Sequence, residues 1–337
     1  MIKHLTIPAA VLTIGIMLLT VFPSCNDDNE GQDSTGETQE VPRVDKPDFN
    51  ADSAYAYIEK QVSMGPRVPG TPVQIECAAW MEQKLRQFTD TVYRQEVEVK
   101  AGNGEKLPCI NLVGSINPGA TRRILLLAHW DTRPWADMAA NDQDKPVLGA
   151  DDGGSGVGVL LELARQIKSK PLPADLGIDI LLADVEDYGK SEWGENSYAL
   201  GTQYWAYNPH VPGYKAEFGI LLDMVGARNA RFPLEGYSTR YAGRVQQNVW
   251  QAAVRAGFSS YFPFVRGAEI TDDHVFVNEI IRIPTIDIIN LNGTPESAFA
   301  KHWHTHEDDM SVIDKGTLEA VGETLLQVIY EMVAPES

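Results

Sequence analysis

Positive charge is scarce in this sequence, in which 28 Lys and Arg residues stand against 47 Asp and Glu residues and leave a formal net charge of −19. Binding to phosphates needs clustered cations, so the composition excludes nucleic acid as a partner. The excess of carboxylates is compatible with metal binding, but equally with an acidic protein that is merely soluble. With 337 residues and 43% apolar content, the chain can bury the core of one large domain or of two small ones.

Cysteine is also scarce, and the three residues are Cys25, Cys77 and Cys109. Cys77 and Cys109 could pair in an oxidising compartment. Because Cys77 lies among the apolar residues of a predicted helix, two buried thiols are the alternative expectation.

The longest apolar run is near the N-terminus, at residues 7–22, after Lys3 and His4. This run is too short to span a bilayer comfortably and has the proportions of a signal peptide. A small residue followed by Cys25 at its end resembles a bacterial lipoprotein signal, and an ordinary secretory signal is the alternative. We therefore expect residues 1–25 to be a lipoprotein-type signal peptide. The mature chain is then exported to the periplasm or cell surface, with a lipid on Cys25 as its only membrane contact.

Residues 26–47 consist mainly of Asp, Glu, Gly, Ser, Thr and Gln, which predicts a disordered acidic tether. Residues 48–337 show the pattern of one folded domain without internal repeats. Helical periodicity occurs at residues 51–64, 73–88, 157–167, 240–256 and 315–332, with a further helix expected within 196–206. Strand patterns occur at residues 92–99, 109–116, 123–128, 176–183, 217–225 and 281–289. This alternation predicts a doubly wound α/β domain.

An acidic pair follows one of these strands: residues 176–183 end in the apolar run Ile180-Leu181-Leu182-Ala183, and Glu186 and Asp187 come shortly after it. Open α/β sheets place their chemistry outside the carboxyl ends of the strands. Successive side chains on an extended backbone point to opposite faces, so one acid can bind a metal while the other transfers protons. A solvated acidic turn is the alternative.

Four other segments carry metal-binding residue types at similar places. His129 ends an apolar strand two residues before Asp131, Asp152 lies in a Gly-rich turn before a helix, and Asp223 lies near the end of another strand. His304 lies between His302 and His306, and all three would share a face on an extended segment. A phosphate-binding loop is excluded because the Lys-Ser/Thr ending is absent. Histidines and carboxylates without thiolates suit zinc. Isolated helix caps or an acidic surface are the alternatives, but neither explains acids that follow buried strands.

The order of these motifs resembles that of the zinc aminopeptidase superfamily, peptidase family M28. Several stretches are more specifically similar to glutaminyl-peptide cyclotransferases of the animal type. They are Arg67-Val68-Pro69-Gly70-Thr71-Pro72, Leu221-Leu222-Asp223-Met224-Val225-Gly226-Ala227 with Phe232-Pro233, Asp272-Asp273-His274 and Trp303-His304-Thr305. The resemblance implies a three-layer domain with a mixed, mainly parallel central sheet flanked by helices.

The resemblance also implies roles for individual residues. Asp152, Asp187 and His304 would bind one zinc ion, with Glu186 as general acid and base and Asp272 holding a proton near the substrate. His129 and Asp223 would lie near the site or complete a second metal site. Trp193 and Trp303 would form the substrate pocket, with Phe299 as a further wall, and core packing is the alternative for these aromatics. The chain departs from the animal enzymes at Asp187, where they have Glu.

The implied function is zinc-dependent conversion of the N-terminal glutamine of peptides to pyroglutamate, with release of ammonia. The first alternative is a zinc aminopeptidase that removes N-terminal residues with two metals. The second is an inactive binding domain of the same fold, against which the complete set of ligands and Glu186 argue. His274 is expected to stabilise its own turn.

Overall fold

The computed structural model describes residues 44–293 and 297–333. The helices are α1 (Ala51–Met64), α2 (Pro72–Phe88), α3 (Gly154–Ser169), α4 (Leu200–Tyr207), α5 (Gly236–Arg255), α6 (Asp273–Phe276) and α7 (Lys315–Glu331). The strands are β1 (Thr91–Lys100), β2 (Lys106–Ile116), β3 (Arg122–His129), β4 (Leu176–Ala183), β5 (Phe218–Asp223) and β6 (Thr285–Ile289). The predicted signal peptide, Cys25 and most of the predicted tether lie outside the described residues.

The six strands form one sheet in the order β1-β2-β4-β3-β5-β6. β4, β3, β5 and β6 run parallel to one another, whereas β1 and β2 add an antiparallel edge. The predicted α/β fold with a mixed, mainly parallel sheet is therefore confirmed. Parallel strands buried on both faces account for the unbroken apolar runs in the sequence.

The core lies on both faces of this sheet. In β3, the side chains of Ile124 and Leu126 belong to the larger hydrophobic cluster, and those of Leu125 and Leu127 belong to a second cluster. Residues of α1, α2, α3, α5 and α7 pack into the larger cluster, and residues of α4 and the segment after α6 pack into the second. This alternation along one strand produces three layers.

The predicted boundary of the last strand is wrong. β6 begins at Thr285, whereas residues 277–281 form a π-helical turn that ends at Arg282 in a left-handed conformation, φ 63°. Asn278 stabilises this turn, because its side-chain amide donates to the carbonyl of Thr285 (2.7 Å) and its side-chain oxygen accepts from the Thr285 amide (3.1 Å). The apolar residues before Thr285 therefore pack as a turn.

Smaller boundary errors have local causes. β2 begins three residues earlier than predicted, at Lys106, and β5 ends at Asp223 because Met224 is left-handed, φ 48°. α5 begins at Gly236 because the carboxylate of Glu235 accepts the backbone N–H groups of Tyr237 and Ser238.

Two further sequence questions are answered by the described residues. Cys77 and Cys109 are both free and buried, so they do not form a disulfide. Val44 packs against the main hydrophobic core and Lys46 forms an ion pair with Glu323, so the end of the predicted tether contacts the domain.

None of the helices within 44–293 and 297–333 combines the length and apolar character needed to cross a bilayer.

Candidate active site

Three neighbouring parallel strands, β4, β3 and β5, end at the same edge of the sheet. The turns beyond β4 and β5, the segments before α3 and α6, and the segment after β6 line one cavity of about 390 Å³, counting the space open to solvent. His129 at the end of β3 lies beside it, next to Asp152. The carboxyl ends of parallel strands are the usual position of sites in open α/β sheets. The predicted residues that meet at or beside this cavity are His129, Asp152, Glu186, Asp187, Asp223, Asp272, Trp303 and His304.

A first group of possible metal ligands consists of Asp152, Asp187 and His304. One oxygen or nitrogen atom of each lies within 4.8 Å of the others. Nε2 of His304 lies 3.7 Å from Oδ2 of Asp152 and 3.4 Å from Oδ1 of Asp187. Among the described residues, the buried Oδ2 of Asp187 has no hydrogen-bond partner. A cation at this position would satisfy it, and two carboxylates with one imidazole suit zinc.

A second group of possible ligands consists of His129, Asp152 and Asp223. Nε2 of His129 lies 3.1 Å from Oδ1 of Asp152 and 3.3 Å from Oδ1 of Asp223. Asp152 belongs to both groups and offers a different oxygen to each histidine. The arrangement accommodates one metal ion on the first group, or two ions that share Asp152.

The backbone turn after β4 differs from the sequence-based expectation. β4 ends at Ala183, and Val185 is left-handed, φ 55°, so Glu186 and Asp187 do not lie on an extended strand. Both side chains consequently line the same cavity instead of pointing to opposite faces. A β-branched residue at positive φ is unusual and needs support from its surroundings.

Asp131 provides this support. Its Oδ1 accepts the backbone N–H of Glu186 (3.0 Å) and its Oδ2 accepts that of Asp187 (3.1 Å). Oδ1 also lies 3.5 Å from Nδ1 of His129. One buried carboxylate on the segment after β3 thus orients the acidic pair after β4.

Asp152 is positioned by backbone contacts on both sides. Asp308 accepts the backbone N–H groups of Asp151 (2.8 Å) and Asp152 (3.1 Å). The following Gly153 has φ 87°, and a Cβ there would lie 2.8 Å from the carbonyl oxygen of Asp131 and 2.9 Å from the His129 ring. A glycine is required because the turn packs directly against the end of β3.

The three histidines near the C-terminus do not share a face, contrary to the expectation for an extended segment. Residues 301–304 form a turn, and His304 is left-handed, φ 56°. Nε2 of His302 lies 2.9 Å from Oδ2 of Asp151, whereas the exposed His306 contacts the carbonyl of Asp142. Only His304 of the three lies in the metal-ligand groups.

Glu186 keeps some exposure to the cavity and is enclosed by protein elsewhere. Burial raises the pKa of Glu186 well above its ordinary value; the charge of His129 opposes this effect, and those of Asp187 and Asp272 add to it. Burial and the charge of Asp223 raise the pKa of Asp272 to about 7. Raised pKa values suit carboxyl groups that exchange protons near neutral pH.

Aromatic and apolar side chains line the part of the cavity that the acids leave. The Trp303 ring stacks on His304 with centroids 3.7 Å apart, and Phe299 stacks on Trp303 at 4.3 Å. Tyr198 and Ile270 complete the lining near Glu186. Both Trp303 and Phe299 are thus cavity residues.

Trp193 is not among the residues that line this cavity. Its ring contacts Trp135 edge-on, with centroids 6.1 Å apart, and Lys190 lies over it at 5.5 Å. The predicted contact of Trp193 with substrate remains a prediction.

His274 forms a contact outside its own turn, in addition to the expected local role. Its Nε2 lies 3.2 Å from Oε2 of Glu235, so it links α6 to the start of α5. His274 also belongs to a third group of possible ligands, with Asp272 and Asp287. Burial and the charge of Asp272 raise the pKa of Asp287 well above its ordinary value.

Four polar residues that support the site were missed by the sequence analysis in these roles. They are Asp131, Arg133, Asp137 and Asp308. Asp131 was noticed only as a neighbour of His129, and its spacing does not reveal that it binds the turn after β4. The other three lie in loops, and their contacts with the ligand segments join positions far apart in the sequence, so local patterns carry no signal for these roles.

The fold and this site define the class of protein. The sequence pattern of peptidase family M28 matches residues 111–329, and the chain belongs to this family. Within it, the chain is similar to glutaminyl cyclases. The glutaminyl-peptide cyclotransferase of Gloydius blomhoffii is 29% identical over 250 residues, covering 66% of this chain and 65% of that protein.

Solved structures give closer matches. The Tannerella forsythia glutaminyl cyclase is 51% identical with a TM-score of 0.81, covering 84% of this chain and 99% of that one. A Zn-dependent exopeptidase from Parabacteroides distasonis is 49% identical with a TM-score of 0.82, covering 86% and 99% of the two chains. The resemblance predicted from the motifs is confirmed.

Proposed function

We propose that this protein is a zinc-dependent glutaminyl-peptide cyclotransferase, which converts the N-terminal glutamine of peptides to pyroglutamate and releases ammonia. The observation that carries the proposal is the position of Glu186, a proton-exchanging acid, beside the ligand group of Asp152, Asp187 and His304 in one small cavity. Similarity to glutaminyl cyclases over most of the domain supports it.

The reaction forms a bond between the α-amine nitrogen and the γ-amide carbon and breaks the bond from that carbon to the amide nitrogen. Asp152, Asp187 and His304 would hold the zinc ion, which would supply a Lewis acid for the γ-carbonyl when bound. Glu186 accepts the proton that the α-amine loses and returns it to the departing ammonia. Asp272 lines the same cavity and holds a proton near the substrate.

The cavity walls contribute by holding the glutamine side chain in a folded conformation. Ring closure is intramolecular, so correct positioning of the α-amine against the γ-carbonyl supplies much of the acceleration. Trp303 and Phe299 form an apolar wall next to His304 that suits the methylene groups of glutamine. We also assign Trp193 to substrate binding, on the basis of the motif resemblance.

The direct test compares two substrates with the same enzyme preparation. Ammonia release from a Gln-peptide and amine release from a Leu-peptide are measured in parallel. We expect cyclisation of the Gln-peptide, and hydrolysis of the Leu-peptide alone would refute the proposal. Glu186→Gln should abolish turnover by removing the proton carrier while the zinc content stays that of the unmodified protein.

A zinc aminopeptidase is the second candidate, favoured specifically by the ligand group of His129, Asp152 and Asp223. This group gives the site the ligands for a second ion. Metal analysis separates the two candidates: about one tightly bound zinc per chain supports the cyclase, because a single Lewis acid suffices. Two tightly bound ions together with Leu-peptide hydrolysis would support the aminopeptidase.

For location, we propose export and lipid attachment at Cys25, on the basis of the apolar run at residues 7–22 and the acidic stretch that follows. The tether would let the domain reach peptide substrates away from the membrane surface. A fatty-acid analogue supplied to growing cells should label the unmodified chain and leave the Cys25→Ala chain unlabelled. An unmodified chain without label would contradict the lipid anchor.

A further inference from the structure

Arg133 is a buried cation, 2% exposed, next to the candidate metal ligands. Its Nη1 donates to Oδ1 of Asp187 (2.9 Å), to the backbone carbonyl of Asp187 (3.0 Å) and to the carbonyl of Gly189 (3.1 Å). Its Nε and Nη2 donate to the two oxygens of Asp137, at 2.8 and 2.6 Å. All three nitrogens of the guanidinium thus donate hydrogen bonds at the edge of the site.

Asp137 extends this contact to a second ligand. Its Oδ1 lies 3.2 Å from Nδ1 of His304, the ring nitrogen opposite the one that faces the ligand group. A carboxylate on the remote nitrogen fixes the ring orientation and makes Nε2 the free ligand atom. Arg133 therefore contacts one candidate ligand directly and another through a single carboxylate.

The contacts on Asp187 have a specific geometric effect. Nη1 of Arg133 binds both the side chain and the backbone carbonyl of Asp187, so the side chain cannot rotate without losing a charge-assisted bond. Oδ1 accepts from Arg133, whereas Oδ2 has no hydrogen-bond partner among the described residues and is available to a metal ion. An aspartate has a shorter reach than a glutamate and tolerates less misplacement.

We propose that Arg133 is the positioning residue of the metal site: it fixes Asp187 directly and His304 through Asp137, in the geometry that binds zinc. The inference rests on the metal site of the proposed function, but not on which reaction this site catalyses. The alternative is that Arg133 is an ordinary buried ion pair that contributes stability only.

The chain offers a matched control for this alternative. Arg123 forms a two-pronged pair with the buried Asp179, at 2.6 and 2.7 Å, near the start of β3 and away from the ligands. Breaking either pair should lower the stability of the domain, because a buried carboxylate is then left without its cation. Only Arg133 touches the candidate ligands.

The experiment measures zinc affinity by competition with a chromophoric chelator, using the full domain and zinc alone. Arg133→Met should weaken zinc binding by about 10- to 100-fold, the usual effect of removing a group that orients a metal ligand. Arg123→Met should leave zinc affinity unchanged while lowering the melting temperature. Arg133→Lys keeps the charge but cannot bridge Asp187 and Asp137, so it should restore the affinity only partly.

Asp137→Ala provides an independent test of the proposal if Arg133→Met does not fold. The side chain of Asp137 is 42% exposed, so its removal leaves no buried cavity, yet it should weaken zinc binding through His304. Zinc affinity equal to the unmodified protein in either folded variant would overturn the proposal. Failure of the cyclase assay with normal zinc binding would instead refute the proposed reaction and leave this inference standing.

Discussion

At the scale of single residues, Asp131 shows how one side chain sets the positions of two others. Its two oxygens accept the backbone N–H groups of Glu186 and Asp187, so the proton carrier and a metal ligand are held by the same carboxylate. A carboxylate that accepts two backbone N–H groups is rigid and acceptor-only. Neither acid can move without disturbing the other.

Asp131→Asn should therefore impair catalysis. An amide group keeps one acceptor oxygen and places N–H groups against the second backbone donor, which displaces the turn. Misplacement of about 1 Å can cost on the order of 100-fold in rate. We expect kcat to fall by roughly this factor. Asp144→Asn, at an exposed position, is the control, and an unchanged kcat in Asp131→Asn would contradict this role.

The two thiols of the domain should be unreactive in the folded state. Burial raises the pKa of Cys77 to about 12 and that of Cys109 well above its ordinary value, so neither forms a thiolate near pH 8. In a Cys25→Ser chain, a thiol reagent should label no cysteine under native conditions and two after unfolding. Rapid native labelling would show that the region around α2 opens.

At the scale of elements, Glu235 joins three of them. Its carboxylate caps α5, accepts the backbone N–H of Ile270 at 2.9 Å and pairs with His274 of α6. Burial opposes its ionisation, but the hydrogen bond and charge of His274 outweigh burial and lower the pKa of Glu235 to about 2. The segment that carries Asp272 is thereby attached to the helical layer.

Glu235→Gln should destabilise the domain at neutral pH. A pKa of about 2, against an ordinary 4.5, corresponds to roughly 3 kcal/mol, which is present above about pH 4.5 and is lost as the pH falls toward 2. The variant should lose about this much stability at pH 7 and show a weaker acid dependence in denaturant unfolding. Equal acid dependence in both proteins would contradict the assignment.

Element types were predictable where local pattern and tertiary environment agree. Residues 124–128 and 180–183 are unbroken apolar runs, and the structure buries them in the middle of the sheet. The start of β6 was not predictable, because the apolar residues before Thr285 fit a strand equally well. The side chain of Asn278 stabilises a turn instead, through hydrogen bonds to Thr285 that the pattern of apolar residues does not reveal.

The site was predictable to a similar degree. Acids that follow buried strands could be assigned to one edge, and Glu186, Asp187 and Asp223 lie there. The turn that presents them was not predictable, because it depends on Asp131, 55 positions from Glu186. The supporting contact of Asp137 with His304 likewise joins segments that are far apart in sequence.

At the scale of the whole molecule, metal binding and folding should be coupled. The ligands come from turns that have this geometry only in the folded domain, so zinc binds the native state and stabilises it. Zinc at about 100 times its dissociation constant should add about 2.7 kcal/mol. The melting temperature should rise with zinc and fall with a chelator. Asp152→Asn should abolish this response, and a zinc-independent melting temperature in the unmodified protein would contradict the coupling.

The position of His304 after the last strand has a consequence for truncated chains. His129, Asp152, Asp187 and Asp223 lie no further along the chain than the end of β5, whereas the first ligand group also needs His304, which follows β6. A chain that ends before His304 should therefore keep the second ligand group but lose a ligand of the first. Zinc binding at the first group thus reports whether the segment after β6 is present and folded.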